Sequence, residues 1–218
     1  MRKAIAFILS CTLTAAAALQ GIPARAAGAA ETEISVQSVS GEFEYEVTDE
    51  ETKSCQVTGY TGNETEIVIP ETLDGYIVES IGRSAFSWGK MESISLPDTV
   101  KTIGGRAFYR CEKLREIVLP QSLTSIGDHA FGECASLTEI ILPEALTEIA
   151  SGLFNGCEAL VNVTIPEGVT AVGPSAVSNC ASPGALEVPG PGGRIGVSAF
   201  SGRSRPGGFG YPGGWETG

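Results

Sequence analysis

The sequence has few of the residues on which hydrolytic enzymes and nucleic-acid-binding proteins depend. It contains one histidine, His129, and 14 basic residues against 26 acidic ones. Hydrolytic triads and most catalytic zinc sites need a positioned imidazole with an orienting carboxylate. Asp128 adjoins His129, but consecutive residues in a loop point apart, so we expect no catalytic pair. The net charge of −12 disfavours binding to phosphate backbones and to anionic lipid head groups.

Long hydrophobic runs are also lacking after the N-terminal segment. No later part of the chain approaches the roughly 20 apolar residues of a membrane span. The N-terminal segment has a basic start, an apolar stretch from about Ala4 to Leu19, and the small-x-small pattern Ala24-Arg25-Ala26. These features are typical of a secretory signal peptide and its cleavage site. We therefore expect residues 1–26 to be removed and the mature chain to be secreted, without insertion into the membrane.

The central part of the chain repeats with a period of 23 residues. Four consecutive units, from residue 91 to residue 182, read MESISLPDTVKTIGGRAFYRCEK, LREIVLPQSLTSIGDHAFGECAS, LTEIILPEALTEIASGLFNGCEA and LVNVTIPEGVTAVGPSAVSNCAS. A proline column and a cysteine column recur in the same frame: Pro97, Pro120, Pro143 and Pro166, and Cys111, Cys134, Cys157 and Cys180. Such self-similarity indicates a solenoid of stacked units.

The units at the two ends match this pattern less well. Ile67–Pro70 matches the first part of a unit, but Thr72–Tyr76 inserts extra residues before the next matching position. A surface loop absorbs such an insertion at small cost. At the other end the frame persists, yet fifteen of residues 189–218 are Gly or Pro, a composition that resists packing. We expect order to fade beyond about Val188.

Each unit contains one short segment with the alternation of a β-strand. Ile117 and Leu119 point to one face, and Pro120 ends the strand because it has no N–H to donate. The apolar residues that follow are spaced for a turn of α-helix or 3-10 helix, and not for a second strand: Leu123, Ile126, Phe131 and Cys134. Stacking at about 4.8 Å would bury these residues against their copies. The sequence therefore predicts an α/β repeat solenoid with a parallel β ladder on one face and short helical or 3-10 turns on the other.

The shared pattern, LxxIxLPxxLxxIGxxAFxxC, resembles the BspA-like class of bacterial leucine-rich repeats. Before the repeats, Phe43–Val47 and Cys55–Tyr60 alternate like two strands, and they resemble the β-hairpin that often opens such arrays. A hairpin here would cover the open edge of the first coil. The resemblance implies an extracellular or cell-surface protein that acts in adhesion and binding and not in catalysis.

These observations divide the chain into five segments. They are a signal peptide at 1–26, a flexible leader at 27–41, a β-hairpin cap at 42–64, about six leucine-rich repeats at 65–203 with the last one degenerate, and a degenerate Gly/Pro-rich tail at 204–218. The tail has no recognisable cap or anchor motif.

The cysteines are the most prominent candidates for chemistry. Their spacing of 23 residues is unlike any CxxC zinc pattern, and stacking would place them in one inward-facing column. A free thiol packs well as a small hydrophobic group. Disulfides between neighbouring coils would require the Cβ vectors to converge, whereas stacking keeps them parallel. Buried free thiols are therefore favoured over disulfides and over metal ligands, and a partner for Cys55 stays unassigned.

The remaining polar residues show no pattern of a catalytic, metal or cofactor site. Most acidic residues occur singly at positions predicted to face solvent, and no DxDxDG calcium loop is present. Gly192-Gly193 lacks the strand–loop–helix context of a phosphate-binding loop. We predict that the protein is not an enzyme and uses no cofactor or metal.

One surface is a candidate binding site. The residues that flank the inward positions of the strands form two outward rows, which we call the ladder face: Glu66, Ser93, Glu116, Glu139 and Asn162, and Val68, Ser95, Val118, Ile141 and Thr164. Repeat solenoids bind partners through such extended faces, so we predict contact there with an extracellular protein or glycan. Two alternatives stay open. The outward Val and Ile residues could be present only because β-branched residues favour strands, and not because they bind a partner. The chain could also act as a passive spacer or as a fragment of a larger surface protein.

Overall fold

The computed structural model describes residues 38–180, 192–202 and 214–217. The predicted signal peptide and residues 27–37 of the predicted leader lie outside this part of the chain. The described residues form sixteen strands: β1 (Ser38–Ser40), β2 (Phe43–Asp49), β3 (Ser54–Tyr60), β4 (Glu66–Val68), β5 (Thr72–Leu73), β6 (Tyr76–Ile81), β7 (Ser93–Ser95), β8 (Thr102–Ile103), β9 (Glu116–Val118), β10 (Ser125–Ile126), β11 (Glu139–Ile141), β12 (Glu148–Ile149), β13 (Asn162–Thr164), β14 (Ala171–Val172), β15 (Gly193–Ile195) and β16 (Trp215–Thr217). The same residues contain no helix that is long and apolar enough to cross a membrane.

In the described units, the first strand pairs in parallel with a copy in a neighbouring unit, as predicted. β4, β7 and β9 form one sheet, in which Ile67, Ile94 and Ile117 are aligned. β11 and β13 form another, with Ile140 opposite Val163. The isoleucines are buried, and Val163 is partly buried against the core. The prediction that like side chains align in a dry interior is confirmed.

A second parallel ladder lies in the other half of each unit. β6, β8 and β10 pair in register, and β12, β14, β15 and β16 form a further parallel series. The expectation that this half contains no strand is therefore wrong. The spacing from Leu123 to Ile126 fits a helical turn, but a single turn closes few internal hydrogen bonds. The neighbouring coil offers backbone partners instead, and the N–H of Thr124 donates to the carbonyl of Lys101 over 2.9 Å.

The third side of each coil, which we call the turn face, consists of tight turns. The described residues contain no helix, so the predicted helical or 3-10 turns are not confirmed. Left-handed residues, which interrupt a helix, recur at one position of the unit: Ser84, Arg106, His129, Gly152, Ser175 and Ser198. Backbone groups bond to the next coil instead. The N–H of Phe108 donates to the carbonyl of Ala130 over 2.8 Å, and that of Phe131 donates to Leu153 over 3.1 Å.

An antiparallel hairpin precedes the repeats, so the predicted cap is confirmed. β2 pairs with β3, and β3 pairs in parallel with β6. The hairpin therefore covers the open edge of the second ladder. β1 pairs with β2, so the segment predicted as a flexible leader contains a strand at its end. The sequence did not indicate β1 because Ser38–Ser40 is too short to show an alternation.

Regular pairing continues past Val188, contrary to the expectation from composition. β15 pairs with β14 and β16 pairs with β15, so the predicted tail at 204–218 contains a strand. Residues 203–213 lie outside the described part. Ladder hydrogen bonds involve only the backbone, and glycine permits a close approach of strands. A Cβ on Gly193 would lie 2.7 Å from the carbonyl carbon of Thr170.

Aromatic rings form a column through the core. Phe86, Phe108, Phe131 and Phe154 stack with centroid separations of 5.4, 5.3 and 5.8 Å. Tyr60 of the cap extends the column at 6.2 Å from Phe86. The rings of Phe108, Phe131 and Phe154 are fully buried. Like side chains from successive coils therefore stabilise the array by packing on one another.

The cysteine column is buried as well. Each thiol donates to the backbone carbonyl of a phenylalanine in the preceding coil, for example Cys111 to Phe86 over 3.0 Å and Cys157 to Phe131 over 3.1 Å. All five described cysteines are free, including Cys55, so the preference for free thiols is confirmed. Burial raises the pKa of Cys111 to about 12 and that of Cys55 to about 11. Such thiols are structural and unreactive.

Candidate partner-binding face

The apolar row of the ladder face is exposed to solvent. Val68, Val118 and Ile141 have relative exposures of 72, 65 and 67%. Strand pairing places Ser95 between Val68 and Val118, and it places Thr164 beside Ile141. Val118 and Ile141 lie on the neighbouring strands β9 and β11, and exposed apolar side chains so placed form a patch of the kind found at interaction sites.

The polar row runs beside the apolar one. Pairing aligns Glu66, Ser93 and Glu116 on one sheet, and Glu139 with Asn162 on the other. These side chains are exposed, except for Ser93, which is half-buried. The ladder face therefore combines an apolar centre with carboxylates on one flank, which gives it a negative potential.

The two sheets of the ladder face meet at one junction between coils. β11 lies next to β9, but within residues 38–180 the two strands are not joined by ladder hydrogen bonds. The same junction separates β10 from β12 on the second ladder. We call it the seam. The ten predicted residues thus lie on one side of the solenoid, in a group of three strands and a group of two.

Asp128 and His129, the neighbouring carboxylate and imidazole of the sequence, make separate contacts in the described part of the chain. They contain no group of three or more His, Cys, Asp or Glu side chains that could hold a metal ion. The Asp128 carboxylate accepts a hydrogen bond from the N–H of Ser151 over 3.0 Å. The His129 ring lies over Gly152, where a Cβ would collide with it. Asp128 and His129 therefore contact different residues of the next coil.

The structure adds a pocket that the sequence did not indicate. A cavity of about 250 Å³ lies between the connection that follows β3 and the first turn of the array; its lining includes Tyr60, Asn63, Glu64, Trp88 and Lys90. Trp88 is 60% exposed. The guanidinium of Arg110 lies 4.5 Å from the centre of its ring and helps to hold the indole in place. The only signal in the sequence is an aromatic residue at a position where the other units have Arg110, Glu133, Gly156, Asn179 and Gly202.

Two carboxylates meet the hydroxyl of Tyr60 at the wall of this pocket. The hydroxyl donates to Glu42 over 3.0 Å and also contacts Glu64. Partial burial and these two carboxylates raise the pKa of Tyr60, whereas the hydrogen bond from Tyr60 lowers the pKa of Glu64. At neutral pH the wall therefore presents the ionised Glu64 carboxylate beside the aromatic ring of Tyr60.

Repeats of this kind occur in a known family of proteins. The model of the BspA type leucine rich repeat region matches residues 79–205 in six copies, which is more than half of the chain. This chain belongs to the BspA-type leucine-rich repeat family. The resemblance drawn from the sequence pattern is confirmed, and the two ladders and the turn face are the form that BspA-type repeats take here.

Several solved bacterial structures are similar to this BspA-type array. A leucine-rich cell surface protein from Faecalibacterium prausnitzii is 26% identical with a TM-score of 0.53, over 77% of this chain and 50% of that one. The leucine-rich repeat protein of T. pallidum is 26% identical with a TM-score of 0.57, over 76% of this chain and 86% of that one. The pneumococcal vaccine antigen PcpA, at 21% identity and a TM-score of 0.59 over 79% of this chain and 47% of that one, shares the fold. The chain thus spans half the length of the F. prausnitzii protein, and no curated protein matches it.

Proposed function

We propose that this chain is an extracellular, non-catalytic binding module that contacts a protein or glycan through the ladder face. The observation that carries the proposal is the row of exposed Val68, Val118 and Ile141 beside carboxylates on the same strands. The N-terminal signal pattern supports an extracellular setting. The similarity to the cell surface protein of F. prausnitzii supports it too.

The chemistry of the face restricts the partner. Burial of Val118 and Ile141 supplies affinity in proportion to the apolar area removed from water. Carboxylates such as Glu116 and Glu139 favour basic groups at the rim of the interface and repel acidic ones. The expected partner is therefore an apolar surface flanked by Lys or Arg, or a neutral glycan. The net charge of −12 argues against nucleic acids and anionic membranes.

Partner capture by the mature chain tests this proposal. Val118→Lys combined with Ile141→Lys places two charges at the centre of the face and leaves the inward side chains unchanged. We expect capture from host or microbial extracts to weaken at least about tenfold, with an unchanged circular dichroism spectrum. Thr102→Lys is the matched control, because Thr102 is exposed on the second ladder. Capture that resists the double substitution would contradict the ladder-face site.

A passive spacer is the alternative, and it predicts a different result. A spacer holds other groups at a distance, so only the number of coils matters and no surface substitution has an effect. Insertion of one further 23-residue unit between residues 136 and 137 would then change function, whereas the two Lys substitutions would not. Loss of function with the Lys substitutions alone would exclude the spacer.

The Trp88 pocket favours a second candidate contact, for a neutral sugar. Sugar rings stack their C–H faces on an indole, and their hydroxyls bond to carboxylate and amide groups. Trp88, Glu64 and Asn63 supply these groups around a cavity large enough for one hexose ring. This contact would hold a glycan at the N-terminal end of the array, beside the cap.

Intrinsic fluorescence tests the sugar contact directly. The chain has two tryptophans, so Trp215→Phe leaves Trp88 as the only reporter. We expect a saturable change in its emission with maltotriose or with the trimer of N-acetylglucosamine, and no response in an otherwise identical chain with Trp88→Phe. The absence of a response to either neutral trisaccharide would contradict the candidate.

A further inference from the structure

One column of the repeat is glycine in every described coil except one. Gly82, Gly104, Gly127, Gly173 and Gly196 occupy it, and Ala150 stands in their place in the coil that begins at residue 137. Each of the five glycines donates its N–H to a backbone carbonyl of the preceding coil or of the cap, over 2.7 to 2.8 Å. The column is therefore the point at which the second ladder closes on its neighbour.

These glycines leave no room for a side chain. A Cβ on Gly104 would lie 2.6 Å from the N of Arg83, and one on Gly173 would lie 2.6 Å from the N of Ser151. Real Cβ atoms do not approach backbone atoms so closely, so a methyl group in this column must push the neighbouring coil away. Ala150 carries that methyl group.

The seam lies where Ala150 meets the preceding coil. In the described range 38–180, no bond from the N–H of Ala150 to Ile126 matches those of the five glycines. Pairing stops between β10 and β12, and it also stops between β9 and β11 on the ladder face. A cavity of about 340 Å³ opens beside β10, β12 and β14, with Ile126, Gly127 and Ala150 in its lining.

The turn face stays closed across the same junction. The N–H groups of His129 and Glu133 donate to the carbonyls of Ser151 and Asn155 over 2.9 and 2.7 Å. The rings of Phe131 and Phe154 remain stacked, although at 5.8 Å they are farther apart than Phe108 and Phe131 at 5.3 Å. Two sides of the coil are thus open and one is bonded, which is the geometry of a hinge.

We propose that Ala150 acts as a wedge that makes the seam the hinge of the array. The hinge joins an N-terminal block, residues 65–136, to a C-terminal block that begins at residue 137. Bending about the turn face changes the spacing between β9 and β11, and with it the distance from Val118 to Ile141. The proposal concerns the backbone and holds whatever the ladder face binds.

Hydrogen–deuterium exchange of the whole chain tests the wedge. In Ala150→Gly we expect the amides at positions 147 and 150 to exchange about tenfold more slowly, because the closed ladder would protect them. Gly173→Ala is the matched control in the next coil, and it should speed exchange at position 173 by a similar factor. If Ala150→Gly leaves exchange at both positions unchanged, the wedge is wrong.

Distances between spin labels test the hinge. Ser95→Cys and Thr164→Cys place one label on each block, and the five native cysteines that the structure describes, at most 3% exposed, do not react. Ala150→Gly should narrow the distance distribution of this pair. A pair within the N-terminal block, Val68→Cys with Val118→Cys, should not change. Slower amide exchange with an unchanged distance distribution for the pair at positions 95 and 164 would overturn the hinge. If the distance distributions of both pairs narrow equally, the hinge does not lie at the seam.

Discussion

The coils on the two sides of the seam share one repeat pattern but differ in their side-chain columns. The N-terminal block has a hairpin cap, an unbroken glycine column and stacked phenylalanine rings. The C-terminal block has Ala150 at its first position in the glycine column, and it carries Val177 where the other coils have an aromatic ring. Parallel pairing nevertheless continues to β16. Backbone pairing therefore tolerates a change of composition, and the columns of the core decide how firmly neighbouring coils are held.

The largest expected difference between the two blocks lies in the ring column. Phe108 is fully buried between two other rings, whereas Phe200 is partly buried and lies one coil beyond Val177. Phe108→Ala should lower the free energy of unfolding by about 3–5 kcal/mol, the usual cost of removing a buried ring. Phe200→Ala should cost less than about half of that. Urea denaturation of both variants measures the difference, and equal losses would show that the two blocks are packed alike.

The 23-residue period was enough to predict the first ladder and the buried columns. Ile94 and Ile117 alternate with polar residues, and only stacking of copies buries them. The second ladder was not predictable in the same way. Its strands contain two or three residues in most coils, such as Ser125 and Ile126, which is too few to show the alternation of a strand. The choice depends on the neighbouring coil, because backbone groups that a short turn leaves unpaired find partners there.

The ladder face was predictable for a similar reason, and the pocket was not. Once the inward positions are known, Val118 and Ile141 must point outward, because strand residues alternate. The Trp88 pocket depends on the path of the chain after β3, and the insertion before β6 hides that path from the repeat pattern. The effect of Ala150 needed the structure as well. A glycine-to-alanine change in a sequence shows neither the distance to the preceding coil nor the loss of pairing.

The cysteine column offers a property that the two blocks should share. Burial raises the pKa of Cys111 to about 12 and also raises the pKa of Cys157. An unfolded thiol ionises near pH 8.5, whereas these buried thiols stay protonated above that pH. Their contribution to the free energy of unfolding is therefore fully present below pH 8.5 and is lost as the pH rises. Each buried thiol should lower the free energy of unfolding by about 2 kcal/mol when the pH is raised from 7 to 10.

Single substitutions at this column test whether the blocks are equal. Cys111→Ala and Cys157→Ala should each reduce the alkaline loss of stability by about 2 kcal/mol, measured by urea denaturation at pH 7 and pH 10. If only Cys111→Ala reduces the alkaline loss of stability, the thiols beyond the seam are less buried than those before it.

The smallest expected effect concerns the surface of the N-terminal block. Arg110 lies over Trp88 and pairs with Glu133, which also accepts a hydrogen bond from Tyr109. These groups are partly exposed, and exposed ion pairs and cation–π contacts contribute little because water screens them. Arg110→Ala should therefore lower the free energy of unfolding only slightly, and by much less than Phe108→Ala. Urea denaturation measures the change, and a double-mutant cycle with Trp88→Phe isolates the contact between Arg110 and Trp88. If Arg110→Ala lowers the free energy of unfolding as much as Phe108→Ala does, the surface contacts stabilise this block as much as the core columns do.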